Sequence, residues 1–235
     1  MIVRPGAGVL HLITQPDHAA LARRIMEHWA SLHKAERRRE ILTAIEHHDR
    51  AWAESDAAPT VDPATATIRD FIAVPAAVRQ NVWPRSVECL AAAPWAAALV
   101  AHHALTVYDR YRHDPEWQDF FPGMTALRET HRARAGGDLK ALVRDYVYVR
   151  LGDLISLAFC TGATAPASLG PWTIRLDGTH LHVTPSPFVL DVMFAIAARE
   201  IPDVPYPSDE ALRAAVAAAP SRPLEGMVVV PEPAH

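Results

Sequence analysis

The chain predicts a mostly α-helical fold carrying a small β-sheet formed from its N- and C-terminal segments. Apolar residues recur at helical spacing through much of residues 15–161. Short runs rich in β-branched residues flank turn formers near both ends. Half of the 235 residues are hydrophobic, with 20 prolines against 10 glycines, which suits ordered elements joined by stiff connections rather than disorder. One domain over 1–235 is expected, with strands from about 1–14 and 172–230 forming an accessory sheet.

In chain order, Ile2-Val3-Arg4 and Val9–Ile13 flank Pro5-Gly6-Ala7-Gly8 and read as a hairpin. Thr14 or Asp17 can cap a first helix, whose apolar stripe of Leu21, Ile25 and Trp29 also takes in His18. A second helix is expected over about 35–53, with Ile41, Leu42, Ile45, His48 and Trp52 on its inner side. Residues 54–76 are punctuated by Pro59, Pro63 and Pro75 and read as a long ordered loop or lid. Helices resume at about 76–92, at 94–113 with Pro94 at the start, and at 115–134. Gly136-Gly137 interrupts, and 138–161 reads as an amphipathic helix ending before Gly162. Trp172–Leu176 and His180–Thr184 around Asp177-Gly178 predict a hairpin, because Asp-Gly suits the tight turn. A helix over about 187–199, a short helix at 208–218 and a strand at Met227–Val230 complete the expectation.

A net charge of −4 gives no general basic surface, so nucleic acid is not expected as a partner; Arg37-Arg38-Arg39 reads as a solvated helix face. Two cysteines, Cys89 and Cys160, stand in apolar helical surroundings and suit reduced core thiols of a cytoplasmic protein better than a disulfide framework. The first residues lack the pattern of a secretory leader. Apolar stretches are broken by His, Arg or Asp before the roughly 20 residues that a membrane span needs.

The polar residues inside the helical pattern carry the chemistry. His18, His48-Asp49, His102-His103 and Asp153 are far apart in sequence, and each interrupts or borders an apolar helical run. Taken singly they have ordinary readings: hydrogen-bonded core imidazoles, a helix-terminal carboxylate, and for Asp153 an ion pair with Arg150 or Arg144. Taken together, imidazoles and carboxylates from separate helices are the donor set of a divalent cation in a helical core, and a cation would offset the cost of burying them. Successive helical positions differ by about 100°, so His48 and Asp49 can serve one site only where it wraps a helix end. His47 should face away, and His180 and His182 lie on one face of the expected hairpin. Trp52, Trp83, Trp95 and Trp117 read as core or pocket wall.

This constellation resembles the HD-domain superfamily of metal-dependent hydrolases, in which one histidine, a His-Asp doublet and a distal aspartate hold an ion. The resemblance implies an HD-like helical bundle with His18, His48, Asp49 and Asp153 as ligands. Arg150-Leu-Gly-Asp153-Leu-Ile-Ser looks like the last motif of that family, and His102-His103 resembles the paired histidines of members with a second ion. The chain departs from the pattern where Arg50-Ala51-Trp52 follows the doublet. No histidine lies between Asp49 and His102, so a ligand typical of fully dinuclear members is missing. Closer still is the resemblance to a bacterial family of uncharacterised proteins of similar length. It is carried by Leu12–Ala19, Ala44–Trp52, Asp56 with Pro59, Leu99–His103 and Gly152–Cys160.

The resemblance implies a phosphohydrolase acting on a small phosphorylated or nucleotide-like molecule, with one or two divalent ions (Fe, Mn, Zn, Ni or Mg). Asp17 or Gln15 would orient the attacking water, and Arg23, Arg50, Arg144 or Arg150 would meet substrate charge. Two alternatives stand beside it: a non-haem di-iron oxygenase of the same family, and a non-enzymatic helical binding protein whose histidines and aspartates only satisfy one another.

Overall fold

The computed structural model describes residues 1–231. A hairpin of β1 (Ile2–Pro5) and β2 (Val9–Ile13) leads into α1 (Gln15–Met26), α2 (Arg38–His47), α3 (Ala53–Ala57), α4 (Ala76–Glu88), α5 (Pro94–Val107), α6 (Phe120–Arg134) and α7 (Leu139–Thr161). Then follow β3 (Ala167–Leu169), β4 (Trp172–Asp177), β5 (His180–Thr184), β6 (Val192–Pro202), α8 (Asp209–Ala218) and β7 (Ser221–Val229). Among the described residues no helix is long and apolar enough to cross a membrane.

The expected architecture needs correction. In place of a small sheet on an HD-like helical bundle, the strands form one seven-stranded mixed sheet in the order β1-β2-β6-β7-β5-β4-β3, curled into a half-barrel. The pairings are antiparallel except β5 with β7. The expected helix over 187–199 is in fact β6, the longest strand, and it joins the two ends of the chain by pairing with both β2 and β7. Its alanines suit a helix, but Val192, Phe194, Ile196 and Ala198 are buried in strict alternation with exposed neighbours, and period-two burial decides for a strand. The last strand, β7, starts six residues before the expected Met227, and β3 is additional to the hairpin expected there.

The helices follow local chemistry closely. Thr14 caps α1 by accepting the Asp17 backbone N–H at 3.1 Å, with Pro16 in the first turn. Asp138 caps α7 through the Ala141 N–H at 2.6 Å. The centre of the helical layer is α5, where Trp95–Ala101 are all buried and the helix packs against α2, α4, α6 and α7. Its run of alanines lets neighbouring helices approach. The long α7 bridges the layers, contacting α1 and α2 on one side and β1 and β4 on the other. Two glycines allow these approaches. A Cβ on Gly152 would lie 3.0 Å from Met26 and 3.3 Å from Ile45, and one on Gly226 would lie 2.5 Å from Phe159.

The expected second helix does not run to residue 53. It ends at His47, and a 3-10 turn over Arg50–Trp52 leads into α3. In the segment read as a loop or lid, Val61 bridges Ile68, and Phe71 donates its N–H to the Met1 carbonyl at 2.9 Å. Of the two cysteines expected in the core, Cys160 is buried, but Cys89 is exposed, just past the end of α4.

Candidate metal centre

Four helical segments deliver five polar side chains to one buried point. His18 comes from α1, His48 and Asp49 from the break after α2, His103 from α5, and Asp153 from α7 beside the close-packed Gly152. The break matters locally: Asp49 leaves helical geometry, with φ −105° and ψ 16°, so both members of the doublet reach the same site. Each of the five is at most 6% exposed.

The separations suit a shared cation. Asp49 Oδ2 lies 3.1 Å from His18 Nε2 and 3.3 Å from His48 Nε2. Asp153 Oδ1 lies 3.7 Å from each of the same two nitrogens, and Asp153 Oδ2 lies 3.8 Å from His103 Nε2. Donors about 2.0–2.2 Å from one ion sit roughly 3.0–3.5 Å apart. Two overlapping trios, His18–His48–Asp49 and His48–His103–Asp153, could each hold a metal ion.

The outer partners fix which nitrogen faces inward. Ser156 Oγ donates to the Asp153 carbonyl at 3.1 Å, leaving its lone pairs for His18 Nδ1–H at 2.7 Å. His48 Nδ1–H donates to the Ile45 carbonyl at 2.8 Å. Both imidazoles therefore carry the proton on Nδ1 when neutral and present Nε2 to the centre, as metal-ligating histidines do. His48 Nε2 is buried with no hydrogen-bond partner. His103 Nδ1 lies 3.2 Å from the Tyr146 hydroxyl.

Without a cation the centre is electrostatically unsettled. Burial opposes charge on His48, yet Asp49 and Asp153 outweigh it and push the imidazole up to about 10. Burial also opposes ionisation of the two carboxylates. The neighbouring imidazoles prevail, and both acids are held well below the usual carboxylate range. Burial brings His103 down to about 3, so it is a neutral imidazole despite Asp153. A proton on His48 thus partly offsets two buried negative charges, a role a divalent ion would fill more completely.

Asp49, His103 and Asp153 face a cavity of about 230 Å³ whose walls include Trp52, Trp83 and Tyr108. Arg150 lines it and pairs with Asp153, combining the ion pair and the site role considered for that aspartate. Gln15 also reaches the cavity; its Oε1 is buried without a partner, while its N–H donates to Asp56 at 2.6 Å. Asp56 is itself engaged with the Met1 amino group.

Other expected residues lie elsewhere. Asp17 is exposed, accepts the Thr14 hydroxyl at 2.6 Å and lines a larger groove of about 600 Å³ against α8 that contains none of the five. His102 turns away from His103 to an open groove beside α6, with Nδ1 3.4 Å from Arg128. Arg23 is occupied by Glu27 and Glu46, and Arg144 pairs with Asp145. Sequence reasoning did not single out Arg79, Arg110, Tyr108 or Ser156. Of these, only Ser156 carried a signal, because it stands one turn after Asp153 on the inner face of α7.

The family described as "Protein of unknown function (DUF3891)" matches residues 1–203. The chain belongs to this family. The match includes all five residues of the centre and every residue of the 230 Å³ cavity, so the site of this DUF3891 chain lies wholly within the family region. No curated protein and no solved structure matches the chain.

Proposed function

We propose that this chain is a metal-dependent phosphohydrolase acting on a small phosphorylated molecule. One observation carries the reading: five buried imidazole and carboxylate groups converge, His18 and His48 with inward lone pairs fixed by outer partners, and three of the five (Asp49, His103 and Asp153) face a cavity that also holds an arginine. Their order along the chain (His, His-Asp, Asp) resembles the HD pattern, although the half-barrel sheet is no part of the bundle that pattern implied.

The residues fit a cation by the orphaned His48 Nε2 and by the donor set. His18, His48, Asp49 and Asp153 would hold it, with His103 on the cavity side. Bound there, a divalent ion supplies Lewis-acid polarisation of a phosphoryl oxygen and lowers the pKa of water. The protein does the rest. Arg150 places a guanidinium against the phosphoryl oxygens. Gln15 Oε1, an acceptor with no partner of its own, takes a hydrogen bond from the incoming water and holds it in line. Trp52, Trp83 and Tyr108 exclude bulk solvent, which strengthens each of these interactions. The P–O bond to the alcohol breaks, water supplies the new oxygen and the departing alcohol takes a proton.

The test is metal analysis of the purified protein, followed by phosphate release from a panel of small phosphoesters. Stoichiometric metal with turnover is expected. Chelation should lower the melting temperature by roughly 5–10 °C when metal had been present at about a hundredfold over its dissociation constant. A metal-loaded protein that releases no phosphate overturns the reading; oxygen uptake by the iron-loaded form would replace it with oxidative chemistry.

A further inference from the structure

The cavity carries cations that the metal centre does not use. Arg79 of α4 and Arg110, in the turn after α5, line it together with Asp49 and Asp153. Both guanidinium groups converge on the Tyr111 ring, at 5.2 Å and 4.8 Å from its centroid, and Arg79 donates to the Tyr111 hydroxyl at 3.2 Å. Tyr111 is in turn stacked on Trp117, with centroids 4.9 Å apart and planes 7° from parallel. The platform fixes Arg79 from below.

Among the described residues, neither arginine has a carboxylate within ion-pair distance; Asp109, the nearest acid in sequence to Arg110, pairs with Arg112 at 2.7 Å. Arg79 Nε is buried with no hydrogen-bond partner. Buried donors without acceptors are costly and mark where a ligand's acceptors belong. At about 230 Å³ the cavity is smaller than the roughly 300–1,000 Å³ of sites for drug-sized ligands.

Resting on the phosphohydrolase reading, we infer that the substrate is a compact phosphomonoester bearing a second anionic group, its phosphoryl end at the buried centre and its second anion held by Arg79 and Arg110. A guanidinium pair recognises carboxylate or phosphate through the same forked donors, so the shared chemistry is an oxyanion at the far end of a short spacer. A volume of about 230 Å³ suits a compact ligand.

Non-hydrolysable probes separate binding from turnover. Calorimetric titration of the manganese-loaded protein would compare phosphonopropionate (carboxylate as second anion), propylene bisphosphonate (phosphonate as second anion) and propylphosphonate, which has none. One or both of the doubly anionic probes should bind about tenfold or more tighter than propylphosphonate, and whichever does identifies the second group. Arg79→Gln and Arg110→Gln should each abolish that preference while leaving propylphosphonate affinity unchanged. Arg110 is exposed, so its variant decides the matter even where Arg79→Gln disturbs the fold. Equal binding of all three probes, or equal weakening of all three by Arg110→Gln, overturns the inference. A preserved preference with no phosphate release from the corresponding esters removes the hydrolase reading and leaves the second-anion site standing.

Discussion

The buried centre and the open groove beside α6 each receive a histidine from one two-residue step of α5, yet they make opposite offers to a cation. His103 points into the centre, with Asp153 at 3.8 Å; His102 points out, with Arg128 at 3.4 Å. Both imidazoles are kept neutral: burial takes His103 down to about 3, and burial with Arg128 takes His102 down to about 4. A neutral imidazole is therefore not enough. What separates the regions is the company each keeps, since the centre gathers two carboxylates around three imidazoles while the groove sets a guanidinium against one. The doublet that resembled a second-metal motif is divided by the roughly 100° turn between successive helical residues.

That contrast can be broken most forcefully at Asp153. Asp153→Ala should abolish stoichiometric metal and reduce activity beyond the roughly 10–100-fold typical of outer-shell changes; elemental analysis and phosphate release check it. Ser156→Ala removes the acceptor that fixes the His18 tautomer. It should weaken metal affinity about 10–100-fold, measured by competition with a chelator, with little change in the fold of the metal-free protein.

Changing pH sharpens the comparison further. In the metal-free fold His48 keeps its proton up to about 10, above the 6.5 of an unconstrained imidazole. Its contribution to stability is complete below 6.5 and is lost as pH rises through about 10. A cation needs that nitrogen neutral. Metal-free stability should thus decline with rising pH while apparent metal affinity climbs by about tenfold per unit. Calorimetry in buffers of different ionisation enthalpy should find close to one proton released per ion bound. His102→Ala is the smallest change: metal stoichiometry should be unaltered, and stability should move by about 0.5 kcal/mol or less. Loss of metal in that variant would erase the distinction between the two regions.

Much of the candidate site was legible because the proposed ligand residues break an otherwise apolar helical pattern. His18 on the stripe of α1, the His48-Asp49 doublet and Asp153 inside the long α7 are visible as polar residues where the periodicity demands burial. His103 could not be told from His102, because helix phase near α5 is masked by alanines that suit any face. Arg79 and Arg110 look like ordinary surface cations in sequence; only the folding of α4 against the turn after α5 brings them to one tyrosine. Asp17 shares with Gln15 the start of the first helix, where a water-orienting role is expected, yet its place in the first turn lets it cap with Thr14 and face the other groove.

The fold divided in the same way. Caps, prolines and the Asp-Gly turn act through neighbours a few residues away, so the beginnings of α1, α5 and α7 and the β4–β5 hairpin follow from local chemistry alone. For Val192–Pro202 the local preference of its alanines favoured a helix. Pairing with β2 and β7, strands separated from one another by about two hundred residues, satisfied its backbone as a strand instead. Sequence by itself determined that the polar residues on the stripe of α1 and inside α7 are buried. Tertiary structure decided which of them meet, because convergence depends on helix phase and long-range strand pairing, which no stretch of neighbouring residues contains.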